Sequence, residues 1–231
     1  MGKVEEVGKV KEVKKVRKVE KEKIKVAVPF ITFEGPEGSG KTTQLNKLAS
    51  YLKSKGFDVV KTREPGGSDI AEKIRKILLD SKNIGLNSKA ELFLYLASRA
   101  QHIQDVIKPA LRRGVVVLCD RFSDSTIAYQ GYGRGISKSL ISELNKFVTN
   151  GIKPDLTIYL DINVKSGLKR ANVLKGKKDR LERESVVFHN LVRNGYFKIA
   201  KLEPDRVKII RAIGDVNKIH YKIKQYIEKL C

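Results

Sequence analysis

The stretch FEGPEGSGKTT, from Phe33 to Thr43, decides how the chain is read. Gly35, four intervening residues, then Gly40, Lys41 and Thr42 give the spacing of a loop built to hold phosphates. Its glycines let successive backbone N–H groups converge on phosphate oxygens, Lys41 adds a point charge, and the Thr42 hydroxyl suits Mg2+. The pattern has meaning only between a strand and a helix. Here the apolar run FITFE (30–34) precedes it and a helical pattern starts near Thr42. A nucleoside triphosphate is therefore expected along Gly35, Pro36, Glu37, Gly38, Ser39, Gly40, Lys41, Thr42 and Thr43.

Working outward, FITFE, FDVVKT (57–62), VVVLCD (115–120), LTIYLD (156–161) and RVKIIRA (206–212) read as five strands rich in Val, Ile and Phe. Helical stretches are expected at 42–55, 69–80, 88–113, 137–150, 163–174, 184–203 and about 215–230, with Gly56, Gly114 and Gly151 closing three of them. Nearly continuous apolar strands alternating with helices predict an α/β fold, a parallel sheet covered on both faces. Binding sites in such sheets lie at the carboxyl ends of the strands. VVVLCD ends there in Asp120 and Arg121, a carboxylate able to hold Mg2+ through water and a guanidinium able to reach a phosphate. Arg63 follows the second strand and precedes a stiff Pro-Gly-Gly turn, where an arginine can grip a phosphate with two parallel hydrogen bonds.

The 231 residues suffice for one sizeable core, and no apolar run approaches the roughly 20 residues needed to cross a bilayer. The amino terminus is charged throughout and lacks a secretory apolar stretch, so a cytoplasmic location is expected. Two cysteines and three histidines offer no metal-ligand spacing; Cys119 is expected buried, Cys231 exposed, and no disulfide between them. The formal charge is +22, and residues 1–25 hold ten Lys/Arg against five Glu. Valine at 4, 7, 10, 13, 16 and 19 repeats every three residues, which winds around a helix and leaves no lasting stripe. Residues 1–25 are thus read as a low-complexity extension, and 26–231 as the catalytic domain. The remaining basic residues are dispersed without a nucleic-acid motif, so a Lys/Glu-rich surface is favoured over nucleic-acid binding.

Four further segments carry a resemblance: TREPGG (62–67), YLASRAQH (95–102), DRFSDSTIAYQG (120–131) and DRLE (179–182). In order and spacing with the phosphate loop, they resemble the thymidylate kinase family across 30–231. The resemblance implies a P-loop kinase three-layer sandwich with a five-stranded parallel sheet. It implies that Arg63 and Arg121 hold the acceptor's monophosphate, that Tyr95 stacks on thymine and that Arg99 bonds a base carbonyl. Tyr95 stands where phenylalanine is usual, and Ser98 where Asp or Asn is common. Ser125, Thr126, Tyr129 and Gln130 correspond to the family's base-and-sugar segment, with Tyr129 filling the space of a ribose 2′-hydroxyl. Glu37 matches the position that holds the acceptor's 3′-hydroxyl. Gly38 stands where one branch of the family has a catalytic arginine, so the catalytic cation is expected from a lid at about 170–184. Arg170, Lys175, Lys177, Lys178 and Arg180 are its candidates, and Arg180 matches DRLE. With Lys41, Arg121 and Arg180 as catalytic residues and Thr42 and Asp120 on Mg2+, the implied reaction moves the γ-phosphoryl group of ATP onto dTMP. That places the chain in dTTP biosynthesis, and the resemblance adds a homodimer. The competing readings are a kinase for dUMP or UMP, and a nucleic-acid-stimulated ATPase.

Overall fold

Each of the five apolar runs forms a strand: β1 Phe30–Glu34, β2 Val59–Arg63, β3 Val116–Asp120, β4 Leu156–Asp161 and β5 Val207–Arg211. The computed structural model describes residues 28–175 and 179–230. The extension expected over 1–25, the candidate lid cations Lys177 and Lys178, and Cys231 lie outside them, as does the side chain of Lys175. All strand pairs are parallel, in the order β2-β3-β1-β4-β5.

Alternation along each strand loads both faces of the sheet with apolar side chains. Ile31 and Phe33 of β1, Leu118 of β3 and Ile158 of β4 face the helices α1 (Lys41–Ser54) and α9 (Val216–Ile227), meeting Leu48, Leu52, Ile219 and Ile223. On the opposite face Phe30, Val117 and Cys119 pack against Ile103, Ile107 and Ala110. Farther along that sheet, Tyr159 of β4 stacks on Tyr196 at 4.6 Å. Burying one such Leu or Ile contributes about 2 kcal/mol, so the sandwich rests on both layers. These are the three layers expected from the strand and helix pattern.

Between β2 and β3 run α2 (Asp69–Leu79) and α3 (Ser88–His102), the latter capped by the Asn87 side chain, which accepts the Lys89 N–H at 2.9 Å. The stretch 88–113, expected as one helix, widens to a π turn at Ile103–Ile107 before α4 (Lys108–Arg112). Pro109, which has no N–H to donate, sits in the turn that follows. A second π segment, Ile127–Gly133, continues α5 (Ser123–Thr126) directly after Arg121. Then come α6 (Lys138–Thr149), α7 (Val164–Lys175) and α8 (Val186–Leu202). No helix among the described residues is long and apolar enough to cross a membrane.

Strand register levels the ends that carry the chemistry. Phe33 of β1 and Arg63 of β2 both lie opposite Asp120 of β3. The phosphate loop, the TREPGG turn and the Asp120–Arg121 pair therefore leave the sheet side by side.

Candidate active site

A cleft of about 350 Å³ opens at these strand ends. Glu37, Gly38, Gly40, Lys41, Thr42 and Thr43 line it from the phosphate loop, whereas Gly35, Pro36 and Ser39 do not reach its wall. Gly35 has φ 145 and passes so near β4 that an added Cβ would lie 2.5 Å from the Leu160 carbonyl oxygen. Lys41, 7 % exposed, donates from Nζ to the carbonyls of Gly35 and Pro36, both at 3.1 Å. Burial and the neighbouring Arg121 charge push its ammonium below the usual lysine range, while Glu37 and Asp120 pull the other way. The Thr42 hydroxyl donates to Asp120 Oδ2 at 3.1 Å, which puts two hard oxygen donors together at the start of α1.

Asp120 lines the cleft as well, as do Arg63, Tyr95, Arg99, Arg121, Ser125, Thr126, Tyr129 and Gln130, which with Glu37 are the residues expected around the acceptor. Arg121 has φ 74, in the left-handed region that disfavours a side chain by about 1–2 kcal/mol. Its N–H donates to the Phe33 carbonyl at 2.9 Å, its carbonyl accepts from Cys119 Sγ at 3.0 Å, and Nη2 donates to Glu37 Oε1 at 2.7 Å. The guanidinium lies 5.2 Å from the centre of the Tyr129 ring. Tyr129 is 7 % exposed and forms both cleft wall and core, edge-on to Phe188. Burial pushes its hydroxyl up to about 12, so the phenol stays neutral.

Arg99 is buried in a polar nest. Nε donates to Glu64 Oε2 at 2.7 Å, and Nη1 donates to Thr126 Oγ1 at 2.8 Å and Asn145 Oδ1 at 2.6 Å. His102, one turn from Arg99, bonds Glu64 Oε1 at 3.0 Å through Nδ1 and Thr62 Oγ1 at 2.6 Å through Nε2. Tyr95 lies one turn earlier on the same wall. Ser98 accepts the Gly66 N–H at 3.1 Å, so a hydroxyl here ties α3 to the TREPGG turn. Gln130 gives its amide to Glu91 Oε1 at 2.8 Å. Arg63, more than half exposed, pairs with Glu72 at 3.1 Å.

The thymidylate kinase family model matches residues 33–223 of the chain. The chain belongs to the thymidylate kinase family. A thymidylate kinase of Geotalea uraniireducens (strain Rf4) is 53 % identical over 186 residues, covering 78 % of this chain and 87 % of that protein. One from Lactobacillus delbrueckii subsp. bulgaricus is 48 % identical over 192 residues, covering 82 % and 91 %. The crystal structure of thymidylate kinase from Ehrlichia chaffeensis superposes with a TM-score of 0.71 at 40 % identity, covering 87 % of this chain and 99 % of that one.

Helix α7, whose last turns fall within the stretch expected as a lid in a thymidylate kinase, lies against the phosphate loop. Gly38 has φ 69, and an added Cβ would press on the Gly167 carbonyl and lie 3.0 Å from Arg170 Cβ. Helix α7 thus occupies the space a side chain at position 38 would need. Arg180 is not part of the cleft wall: it is 5 % exposed, donates from Nε to the Leu78 carbonyl at 2.9 Å and pairs with Glu91 at 2.6 Å. Its backbone N–H also reaches the Leu79 carbonyl at 3.3 Å, so it ties the lid's end to α2 and α3.

Arg75, Glu64, His102 and Glu34 are among the residues at or behind this cleft that escaped the sequence reading. Arg75 lines the cleft and donates to the Pro65 carbonyl at 2.7 Å; its place one turn along α2 from Glu72 was the available signal. Glu64 and His102 lie inside quoted segments but gain meaning only when α3 docks on β2. Glu34, at the last position of β1, is fully buried against the segment after Arg121.

Proposed function

We propose that the cleft performs transfer of the γ-phosphoryl group of Mg-ATP to dTMP with the residues below in named roles. As a member of the thymidylate kinase family, the chain phosphorylates dTMP; the residue roles and the metal are our reading. One observation supports it above the rest. The common level of Phe33, Arg63 and Asp120 brings Lys41, Thr42, Arg63, Arg75 and Arg121 onto the wall of a single cleft. Two anionic nucleotides meeting end to end require such a gathering of cations.

Lys41 and the loop amides hold the donor's phosphates, exchanging the lysine's bonds to Gly35 and Pro36 for phosphate oxygens. Thr42 and Asp120 would hold Mg2+, and the ion would supply charge neutralisation at the donor's phosphates. Arg121 and Arg63 fix the acceptor phosphate in line, with Arg75 completing the group. Tyr95 stacks on the base. Arg99 has committed Nε and both Nη1 hydrogens, so its Nη2 edge faces the base carbonyl. Thr126, whose oxygen accepts from Arg99, keeps its own proton for the pyrimidine edge. Glu37 takes the sugar 3′-hydroxyl, and Tyr129 fills the 2′ space, while Ser125 and Gln130 support the wall. Among the described lid candidates neither Arg170 nor Arg180 lines the cleft; Arg170, whose Cβ lies beside Gly38 of the phosphate loop, is the one we assign as the catalytic cation, whereas Arg180 anchors the lid.

We read residues 26–231 as one catalytic domain acting in the cytoplasm as a homodimer. Exposed Phe93 on α3 and Leu140 and Phe147 on α6, two helices in contact, support self-association. ADP release measured across nucleoside monophosphates, with DNA and RNA added separately, tests the acceptor. Release with dTMP well above dUMP and UMP is expected; stimulation by nucleic acid alone would overturn the reading.

A further inference from the structure

Glu34 closes β1 one residue before the phosphate loop, yet nothing in the phosphate chemistry above uses it. Its carboxylate is 0 % exposed. Burial pushes its carboxyl up to about 7, while Arg121 and the Ser125 and Tyr196 hydroxyls favour the ionised form, which at such a depth needs donors and a countercharge. Oε1 accepts the backbone N–H of Phe122 at 2.8 Å, and Oε2 accepts the hydroxyls of Ser125 at 2.6 Å and Tyr196 at 2.7 Å. Those two hydroxyls also meet each other at 2.9 Å. Arg121 Nη1 lies 3.9 Å from Oε2 and 3.5 Å from the Ser125 hydroxyl.

All of these contacts except that of Tyr196 fall on Arg121 or on the segment just after it. Arg121 holds a backbone conformation that a side chain resists, and Glu34 pins the next peptide by its N–H. The other carboxylate on Arg121 is Glu37, at 2.7 Å, which faces the cleft. When Glu37 turns to a sugar hydroxyl, Glu34 is the carboxylate that stays behind the guanidinium. Tyr196 brings in α8, so three elements converge on one carboxylate.

We propose that Glu34 is a positioning residue for phosphoryl transfer: by clamping the Phe122 N–H and the Ser125 hydroxyl and by balancing the Arg121 charge, it aims Arg121 at the acceptor's phosphate. The inference rests on the reading of Arg121 as a ligand of that phosphate.

Glu34→Gln keeps the shape and one carbonyl acceptor but removes the charge and replaces one oxygen with a donor. Steady-state kinetics of the full chain should show kcat/KM for dTMP falling about tenfold or more, while the KM for ATP moves by less than about twofold. In an Arg121→Lys background the same change should add less than about a twofold loss, because its route to the substrate has gone. Tyr196→Phe, which keeps the ring stacked on Tyr159, should shift dTMP kinetics in the same direction by about threefold and serves if Glu34→Gln does not fold. Unchanged dTMP kinetics in Glu34→Gln, or in Tyr196→Phe where that serves, overturns the proposal. So does a tenfold loss repeated in full on top of Arg121→Lys. An Arg121→Lys enzyme with unaltered KM for dTMP would instead sink the reading of Arg121 itself.

Discussion

Lys41 sits among carbonyls with its charge already disfavoured by burial, a state that binding phosphate relieves. Lys41→Ala should therefore lower kcat by about a thousandfold in an ADP-release assay, with the fold intact by circular dichroism. A variant keeping a tenth of the activity would remove the loop from the mechanism. Tyr129 carries a different kind of claim: its ring lies beside the Arg121 guanidinium and edge-on to Phe188, and the proposed reading has it fill the space of a 2′-hydroxyl. Tyr129→Ala should raise the relative kcat/KM of the ribonucleotide counterpart of dTMP; unchanged sugar discrimination contradicts that role. Which residues form the site was largely legible in the sequence, because the motif segments end up on one cleft. What they touch was not: the Arg99–Glu64–His102 chain joins residues 35 and 38 positions apart, and no local spacing marks it. Arg63 pairs with Glu72 across a turn that only the fold closes.

At the scale of elements, strands were the easiest to read, since unbroken Val, Ile and Phe runs suit a sheet buried on both faces. The two π segments were not legible, because a helix's hydrogen-bond register responds to what packs against it and to prolines inside it. Lid function also separates by element. Arg180 belongs to the anchor, so Arg180→Ala, which breaks a buried pair with Glu91, should destabilise the fold by about 3 kcal/mol in denaturant unfolding. Arg170→Ala should instead reduce kcat with little change in stability. Reversed outcomes would exchange the two roles. At the junction of α8 and β5, hydrogen bonds from Arg206, joined by Lys153, outweigh burial and hold the Glu203 carboxyl down at about 2. Because that value lies below the ordinary 4.5 of the free group, its contribution to stability is full above pH 4.5 and fades as pH falls towards 2. Glu203→Gln should flatten that part of the acid limb of a stability–pH curve; an unchanged limb would show the network idle.

For the whole molecule, the fold follows from two requirements: a sheet with both faces covered, and strand ends level enough to bring three loops together. The charge of +22 is spread well beyond the cleft, and only a few of its cations line the site. Self-association through the exposed aromatic side chains of α3 and α6 predicts a mass twice the 26.0 kDa of the chain by light scattering. Phe147→Asp should halve that mass if the surface is the interface, and a mass unaffected by it would place any interface elsewhere.

The central claim is that donor and acceptor meet end to end in one cleft. Inhibition by a single molecule joining adenosine to thymidine through a polyphosphate bridge tests it most directly. The account predicts competition against both ATP and dTMP; competition against one substrate alone would contradict it.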